Sequence, residues 1–386
     1  MIGWTRRSAA HAWLVAALLG CGGSAQNTAP PATRAATEVH PRDAAVAAAL
    51  DRYFAAQLPA DQPGGAVMVV KHGRVVFAHG YGLADLKTGE AVTTRTLFNL
   101  GSLSKTFVAS AILQLQERGK LSVEDDLARY FPGFKHNELA AQVRIKHLLT
   151  HTSGLPDNRE VSEHQAFFLT AKDAENWYPI TQADALVSPP GERFAYSNPA
   201  FNGLALIVEQ VSGMKWQAFV RANIFLPAGM TTSTITDGPH PEHGVAHGYN
   251  EEAGAWVEAD YGEIPTFAAA GNGGVWSSVD ELARYEHALQ HGVVLKPATV
   301  TDARTVKTFA NWADPKPPEV GWSWFITQRD QARTIGHTGS QGGFRCSYLT
   351  LPEHDVLLIV LSNAPRDVLA FSDEIIRQLA AAAWLD

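Results

Sequence analysis

The sequence has little that would suit it to nucleic acid, to a membrane span or to disulfide stapling. Its formal net charge is −8 over 386 residues, and no run of Lys or Arg relieves it, so a phosphate backbone would be repelled. Beyond the N-terminus no segment is apolar enough to cross a bilayer. Only two cysteines occur, Cys21 and Cys346. There is no G-x-S-x-G elbow, no phosphate-binding loop and no dinucleotide fingerprint, which excludes the commonest hydrolase, nucleotidase and dehydrogenase patterns.

What is present starts with the N-terminus. Arg6 and Arg7 precede a short apolar stretch, Ala12 to Leu19, that ends Leu18-Leu19-Gly20-Cys21. Positive charge, a short apolar run and a small residue before a cysteine make an export signal. The arrangement resembles a bacterial lipoprotein signal, which implies lipidation of Cys21. Residues 1–20 are then the signal, and residues 21–40, rich in Gly, Ala, Thr, Pro and Ser, a flexible tether. With Cys21 lipidated, Cys346 has no partner within the chain. It is expected as a packed small residue.

The 46% hydrophobic fraction and the length suit one large domain with a substantial core. Val46, Leu50, Phe54 and Leu58 recur at helical spacing. Ala66–Val70 and Val75–Ala78 flank His72-Gly73 and predict a hairpin. Arg333–Thr338, Phe344–Leu351 and Val356–Leu361 are three more strand candidates. A last helix is predicted near Val368–Ala382, with Leu369, Ile375, Ile376 and Leu379 on its apolar face. Short links imply antiparallel pairing. The fold class is therefore α/β, an α+β sandwich: an antiparallel sheet of about five strands, drawn from both chain ends and flanked by helices. A mostly helical region is inserted between. The sheet lobe is 41–95 with 320–386, and the helical lobe 96–319. Phe107, Val108, Ala111, Ile112 and Leu115 give a helix that stops at Gly119. Ser278 with Glu281 reads as a capping box. Residues 155–180 carry few signals.

Three short strings carry chemistry. In Ser102-Leu103-Ser104-Lys105 the lysine shares a helix face with Ser102, so amine and hydroxyl can meet. Apolar neighbours favour the neutral amine, which can take the serine proton. Ser104 lies off that face and is a fallback nucleophile. In Tyr196-Ser197-Asn198, an extended segment would point Tyr196 and Asn198 the same way, and Pro199 biases Asn198 towards extension. Beside a cationic lysine Tyr196 would ionise more easily and serve as a base. The Asn198 amide would hold a substrate carbonyl and steady the lysine. In His337-Thr338-Gly339-Ser340, Gly339 admits close approach of a substrate. The backbone N–H groups of Ser340 and Ser102 would form an oxyanion hole. His337 would donate a hydrogen bond, or carry charge below about pH 6.5. Alone, each string is permissive; in this order they describe one serine nucleophile.

Together the strings resemble the serine β-lactamase and penicillin-binding-protein superfamily, closest to the class C β-lactamase, D,D-peptidase and esterase branch. The resemblance runs from about Pro41 to the C-terminus. It includes His147-Leu148-Leu149-Thr150-His151-Thr152-Ser153-Gly154 and Gly273-Gly274-Val275-Trp276. It implies a β-lactamase/transpeptidase-like fold over 41–386. It also implies acylation of Ser102, a coupled Lys105–Tyr196 proton shuttle, and substrate contacts from Asn198, His337, Thr338, Gly339 and Ser340. His337 stands where many β-lactamases carry lysine, which counts against penicillin hydrolysis as the main task. No glutamate motif of the class A kind is found.

The expected activity is an exported serine hydrolase acting on small esters, D-amino-acid peptides or β-lactams. No metal and no organic cofactor is called for. His147 and His151 sit four apart, a spacing open to a metal, but read better as structure. His240, His243 and His247 read as a solvated loop. The expected partner is a small-molecule or peptide substrate. No nucleic acid is expected, and membrane contact comes only through the N-terminal lipid. A second reading is an envelope-anchored penicillin-binding or sensing module, acylated with little or no turnover.

Overall fold

A computed structural model describes residues 41–385, save 239, 259–268, 317, 330 and 331. Cys21 and the expected signal and tether lie outside the described residues. A helix, α1 (Pro41–Gln57), opens the fold. The sheet is built from β1 (Gly65–Lys71), β2 (Arg74–Tyr81), β3 (Phe325–Gln328), β4 (Arg333–Gln341), β5 (Phe344–Leu351) and β6 (Val356–Ser362). Its order is β3-β4-β5-β6-β1-β2, antiparallel throughout.

The two ends of the chain meet where β1 pairs with β6, Gly65 opposite Ser362 and Lys71 opposite Val356. His72 and Gly73 between β1 and β2 both have positive φ, 50° and 68°, the geometry of a two-residue turn that matches strand twist. Expectation and structure differ by one strand. β3 is four residues ending in Thr327 and Gln328, too short and polar to announce itself by alternation.

Both faces of the sheet are covered, and strand periodicity sorts the residues. Val67, Val69, Leu358 and Val360 face α1 and the last helix, α6 (Val368–Ala381), where they pack on Leu50, Phe54, Ile375 and Leu379. Ala66, Met68, Ile359 and Leu361 face the helical region. The centre of that region is α2 (Ser104–Glu117), buried continuously from Ser104 to Leu115. Around it stand α3 (Asp173–Thr181), α4 (Asn198–Ser212) and α5 (Val279–Gln290). The stretch without clear signals thus contains α3. Its carboxylate Asp173 is buried against α4 and accepts from Asn202 Nδ2, Trp216 Nε1 and the Gly271 N–H.

The capping box of α5 is half made. Ser278 Oγ accepts the Glu281 N–H at 3.3 Å. The Glu281 carboxylate instead receives the N–H groups of Thr232 and Ser233, so it ties a neighbouring loop rather than its own cap. Leu369, expected on the apolar face of α6, is 37% exposed. His243 is solvated as expected, with its side chain 93% exposed. His240 and His247 are half-buried: their rings pack together at 4.7 Å, and His240 packs on Trp276 at 4.7 Å.

Candidate active site

The nucleophile candidate sits on a tight turn that feeds α2. Residues Gly101–Leu103 form a single 3-10 turn. Asn99 Oδ1 accepts the Gly101 N–H at 2.8 Å, and its amide reaches the Gly273 carbonyl at 3.1 Å. The turn lies directly on β4. A Cβ built on Gly101 would stand 2.8 Å from the Ser340 nitrogen, and one on Gly339 only 1.9 Å from the Leu100 oxygen. Two glycines therefore let the backbone of the Ser102 turn meet the backbone of β4 at Ser340. The N-terminus of the buried helix adds positive partial charge there.

Lys105 Nζ lies 3.0 Å from Ser102 Oγ and 2.9 Å from the Asn272 carbonyl oxygen, to which it donates. The side chain is fully buried. Its nitrogen stands 5.2 Å from the ring centre of Tyr196 and 5.7 Å from that of Phe201. Two π faces favour an ammonium, but burial outweighs them, with no paired carboxylate among the described residues and with Arg159 adding repulsion. The amine is held well below its usual value. One N–H of a neutral amine serves Asn272, and the same nitrogen stands within hydrogen-bond reach of Ser102 Oγ.

Tyr196 completes the cluster from the other side. Burial pushes Tyr196 up to about 12, and the nearby Ser102 hydroxyl offsets that only in part. The neighbouring lysine does not make it more acidic, because a neutral amine attracts no phenolate. The residue as a whole is 43% exposed. Its ring stacks on His151 at 4.2 Å and 25°. His151 also accepts the Ser197 N–H at Nδ1 (3.0 Å), and its carbonyl takes the Ala195 N–H at 2.8 Å. His147 does something else: its Nδ1 accepts the Arg144 N–H. Both Nδ1 atoms are thus taken by backbone N–H groups, and His151 is the cradle of Tyr196. Sequence spacing gave no sign of that stacking.

Asn198 departs from expectation. It begins α4 in helical geometry behind the Ser197 cap, with Pro199 in the first turn, where a missing N–H costs nothing. Its side chain is exposed and makes no hydrogen bond to Lys105 among the described residues. The helix start overrides the bias that proline imposes on its predecessor.

His337 is buried in β4, with Nδ1 2.5 Å from the Thr338 oxygen and the ring edge-on to Phe325 at 5.2 Å. Burial above all pushes it down to about 3. The expected charge below pH 6.5 is therefore absent. With Nδ1–H given to Thr338, Nε2 is an acceptor, and it has no protein partner. Ser102, Tyr196, His337, Thr338, Gly339 and Ser340 line one open cavity of about 450 Å³. Arg345, Arg366, Asp367 and Leu369 share its wall and were not foreseen. Ser104 is spent elsewhere: buried, it accepts the Val275 N–H at 3.0 Å. Cys346 is packed, its thiol on the Leu100 oxygen at 3.0 Å.

The beta-lactamase family profile matches residues 50–382. The chain belongs to the beta-lactamase family. Penicillin-binding protein 4* of Bacillus subtilis is 29% identical over 323 residues, 78% of this chain and 68% of that one. An octameric penicillin-binding protein homologue from Pyrococcus abyssi superposes with a TM-score of 0.72 at 25% identity, covering 89% of this chain and 77% of that one. The D-amino acid amidase of Ochrobactrum anthropi SV3 superposes at 0.71 with 20% identity, covering 89% and 100%, a likeness of fold. In this beta-lactamase-family chain the Ser102–Lys105–Tyr196 cluster stands at the meeting of sheet and helical region.

Proposed function

We propose that the chain is a serine hydrolase that opens ester or amide carbonyls through an acyl-enzyme on Ser102. One observation carries the reading: a fully buried, carboxylate-free Lys105 whose nitrogen lies 3.0 Å from Ser102 Oγ. The hydroxyl proton passes to the neutral amine as Oγ attacks the carbonyl. The N–H groups of Ser102 and Ser340 receive the oxyanion. Tyr196 keeps its proton at rest, so it can give one to the departing oxygen or nitrogen. Lys105 and Tyr196 then exchange protons as a pair while water releases the acyl group. His337 supplies an acceptor to a substrate N–H or O–H, not charge.

Small esters, D-amino-acid peptides and amides, and β-lactams are the substrate classes. A screen of one of each against the full chain, with Ser102→Ala as control, tests the assignment. Hydrolysis that Ser102→Ala retains would contradict it. The high value of Tyr196 favours a second reading, because a phenol that holds its proton is a weak base for the final water. That reading is an envelope-anchored binding or sensing module with slow release, and it is told apart by an adduct that persists for hours. Export and lipidation at Cys21 belong to the same proposal. Leu18-Leu19-Gly20-Cys21 behind Arg6 and Arg7 supports them, and Cys21→Ser is expected to abolish labelling with a radioactive fatty acid.

A further inference from the structure

His287 and His291 stand four apart at the C-terminal end of α5, and the proposed chemistry uses neither. Their rings stack with centres 3.9 Å apart and 30° between the planes. Both residues are exposed. We propose that His287 and His291 form a surface site for a divalent metal of borderline softness, zinc first. One ring nitrogen of each binds the ion, and water fills the remaining positions. The site stands whether or not Ser102 is acylated.

Four residues make about one helical turn, so both imidazoles leave α5 on one face. Hydrogen bonding fixes which nitrogen of His291 is available. Its Nδ1 lies 2.8 Å from the His287 carbonyl oxygen and must donate to it. Nε2 then carries the lone pair. A backbone carbonyl on the other ring N–H is the usual support of a metal-binding imidazole. Neither ring nitrogen of His287 has a partner among the described residues. Two zinc–nitrogen bonds of about 2.1 Å at a tetrahedral angle set the nitrogens about 3.4 Å apart. From a 3.9 Å stack, the exposed His287 ring reaches that by turning about its Cβ–Cγ bond.

The helix itself favours a cation there. α5 is twelve residues long, His287 is in its last turn, and the last carbonyls give that end negative partial charge. Arg284, one turn earlier, is drawn away to the Gly229 carbonyl at 2.8 Å. His147 and His151 have the same spacing and the opposite chemistry. Their Nδ1 atoms accept backbone N–H groups, so each Nε2 holds the proton, and both residues are buried. The proposed site is also remote from the nucleophile. His287 lines a cavity of about 480 Å³ with Gly73 and Asp355, beyond the Lys71–Val356 end of β1 and β6. Ser340 stands in the row of Arg345, Ser362 and Gly65 at the other end. Six strand residues, about 20 Å, separate the two ends.

Calorimetric titration of the full chain with zinc chloride at about pH 7.5 tests the site. Zinc is expected to bind, and its affinity to fall about tenfold or more in His287→Gln and likewise in His291→Gln. Excess magnesium chloride should not compete, because magnesium prefers oxygen ligands. Glu160, Glu163 and His164 bring ligand atoms together elsewhere, so His164→Gln is the control and should keep the binding. Zinc should raise the midpoint of thermal unfolding, since the folded helix holds the two rings together. That rise should vanish in His291→Gln. Copper(II) in place of zinc should show magnetic coupling to two imidazoles in the wild type and to one in either variant. No zinc binding at millimolar concentration, binding that survives both substitutions, or binding that only His164→Gln removes would overturn the site. So would a single imidazole coupled to copper in the wild type.

Discussion

Lys105 Nζ stands 3.0 Å from Ser102 Oγ, and among the described residues no carboxylate pairs with it to keep the amine charged. Burial thus prepares a base where a surface lysine would be a spent cation. Replacing Lys105 by Met should lower kcat/KM about 10³-fold, the usual worth of a positioned base. Lys105→Arg should be no better, since a guanidinium does not give up its proton. Steady-state rates with an activated ester check both.

Tyr196→Phe keeps the ring on His151 and removes only the hydroxyl. With an activated ester, whose leaving group needs no proton from Tyr196, release of the acyl group should slow more than its formation, by about 10²-fold or more. A burst of product followed by a slow steady state is the expected trace. Equal slowing of both phases would mean that Tyr196 only packs.

Asp173 gathers Asn202, Trp216 and Gly271 at 2.7, 2.9 and 2.8 Å. Asn202 in turn holds the Asn272 amide at 3.2 Å, and the Asn272 carbonyl takes Lys105. Asp173→Ala strands three donors and should cost about 3 kcal/mol in a urea titration. It should also reduce kcat more than it raises KM, because it loosens the acceptor of the base rather than a substrate contact.

The sheet was legible because strands buried on both faces are long and valine-rich, and because His72-Gly73 can make only a tight turn. The nucleophile and lysine were legible because three residues is one helical turn. The environment of each side chain was not. That Tyr196 is made less acidic and that His337 stays neutral both follow from burial, which depends on Phe325, His151 and the helices packed above them. Asn198 went wrong at a boundary, where Ser197 capping outweighed the effect of Pro199. Arg345 and Arg366 were invisible because they enter the cavity from strands and loops that carry no motif.

Three imidazoles are buried neutral. His337 and His147 are pushed down to about 3 and about 4, and His151 well below its usual value. Their unfolded forms take up protons near pH 6.5 while the folded forms do not, so stability is present above that and is lost as pH falls towards 4. Asp173, pushed up to about 7, works the other way and gains on acidification. Lys105, held low by burial, and the carboxyls of Asp85, Glu124, Asp125, Glu286 and Glu374, held low by their partners, act in the same direction as the histidines, so the urea midpoint should fall from pH 7 to pH 4.5. In His337→Asn that fall should be smaller.

Gly339→Ala puts a methyl 1.9 Å from the Leu100 oxygen. Either the Ser102 turn or β4 must move, so the oxyanion donors separate. Activity should drop about 10²-fold or more, with a smaller effect on folding, read by circular dichroism.

Intact-mass spectrometry of the full chain, quenched within seconds of adding an activated ester, tests acylation most directly. The mass should rise by one acyl group, fragmentation should place it on Ser102, and it should decay as product forms. An unchanged mass during turnover, or the same adduct on the Ser102→Ala protein, would contradict the mechanism.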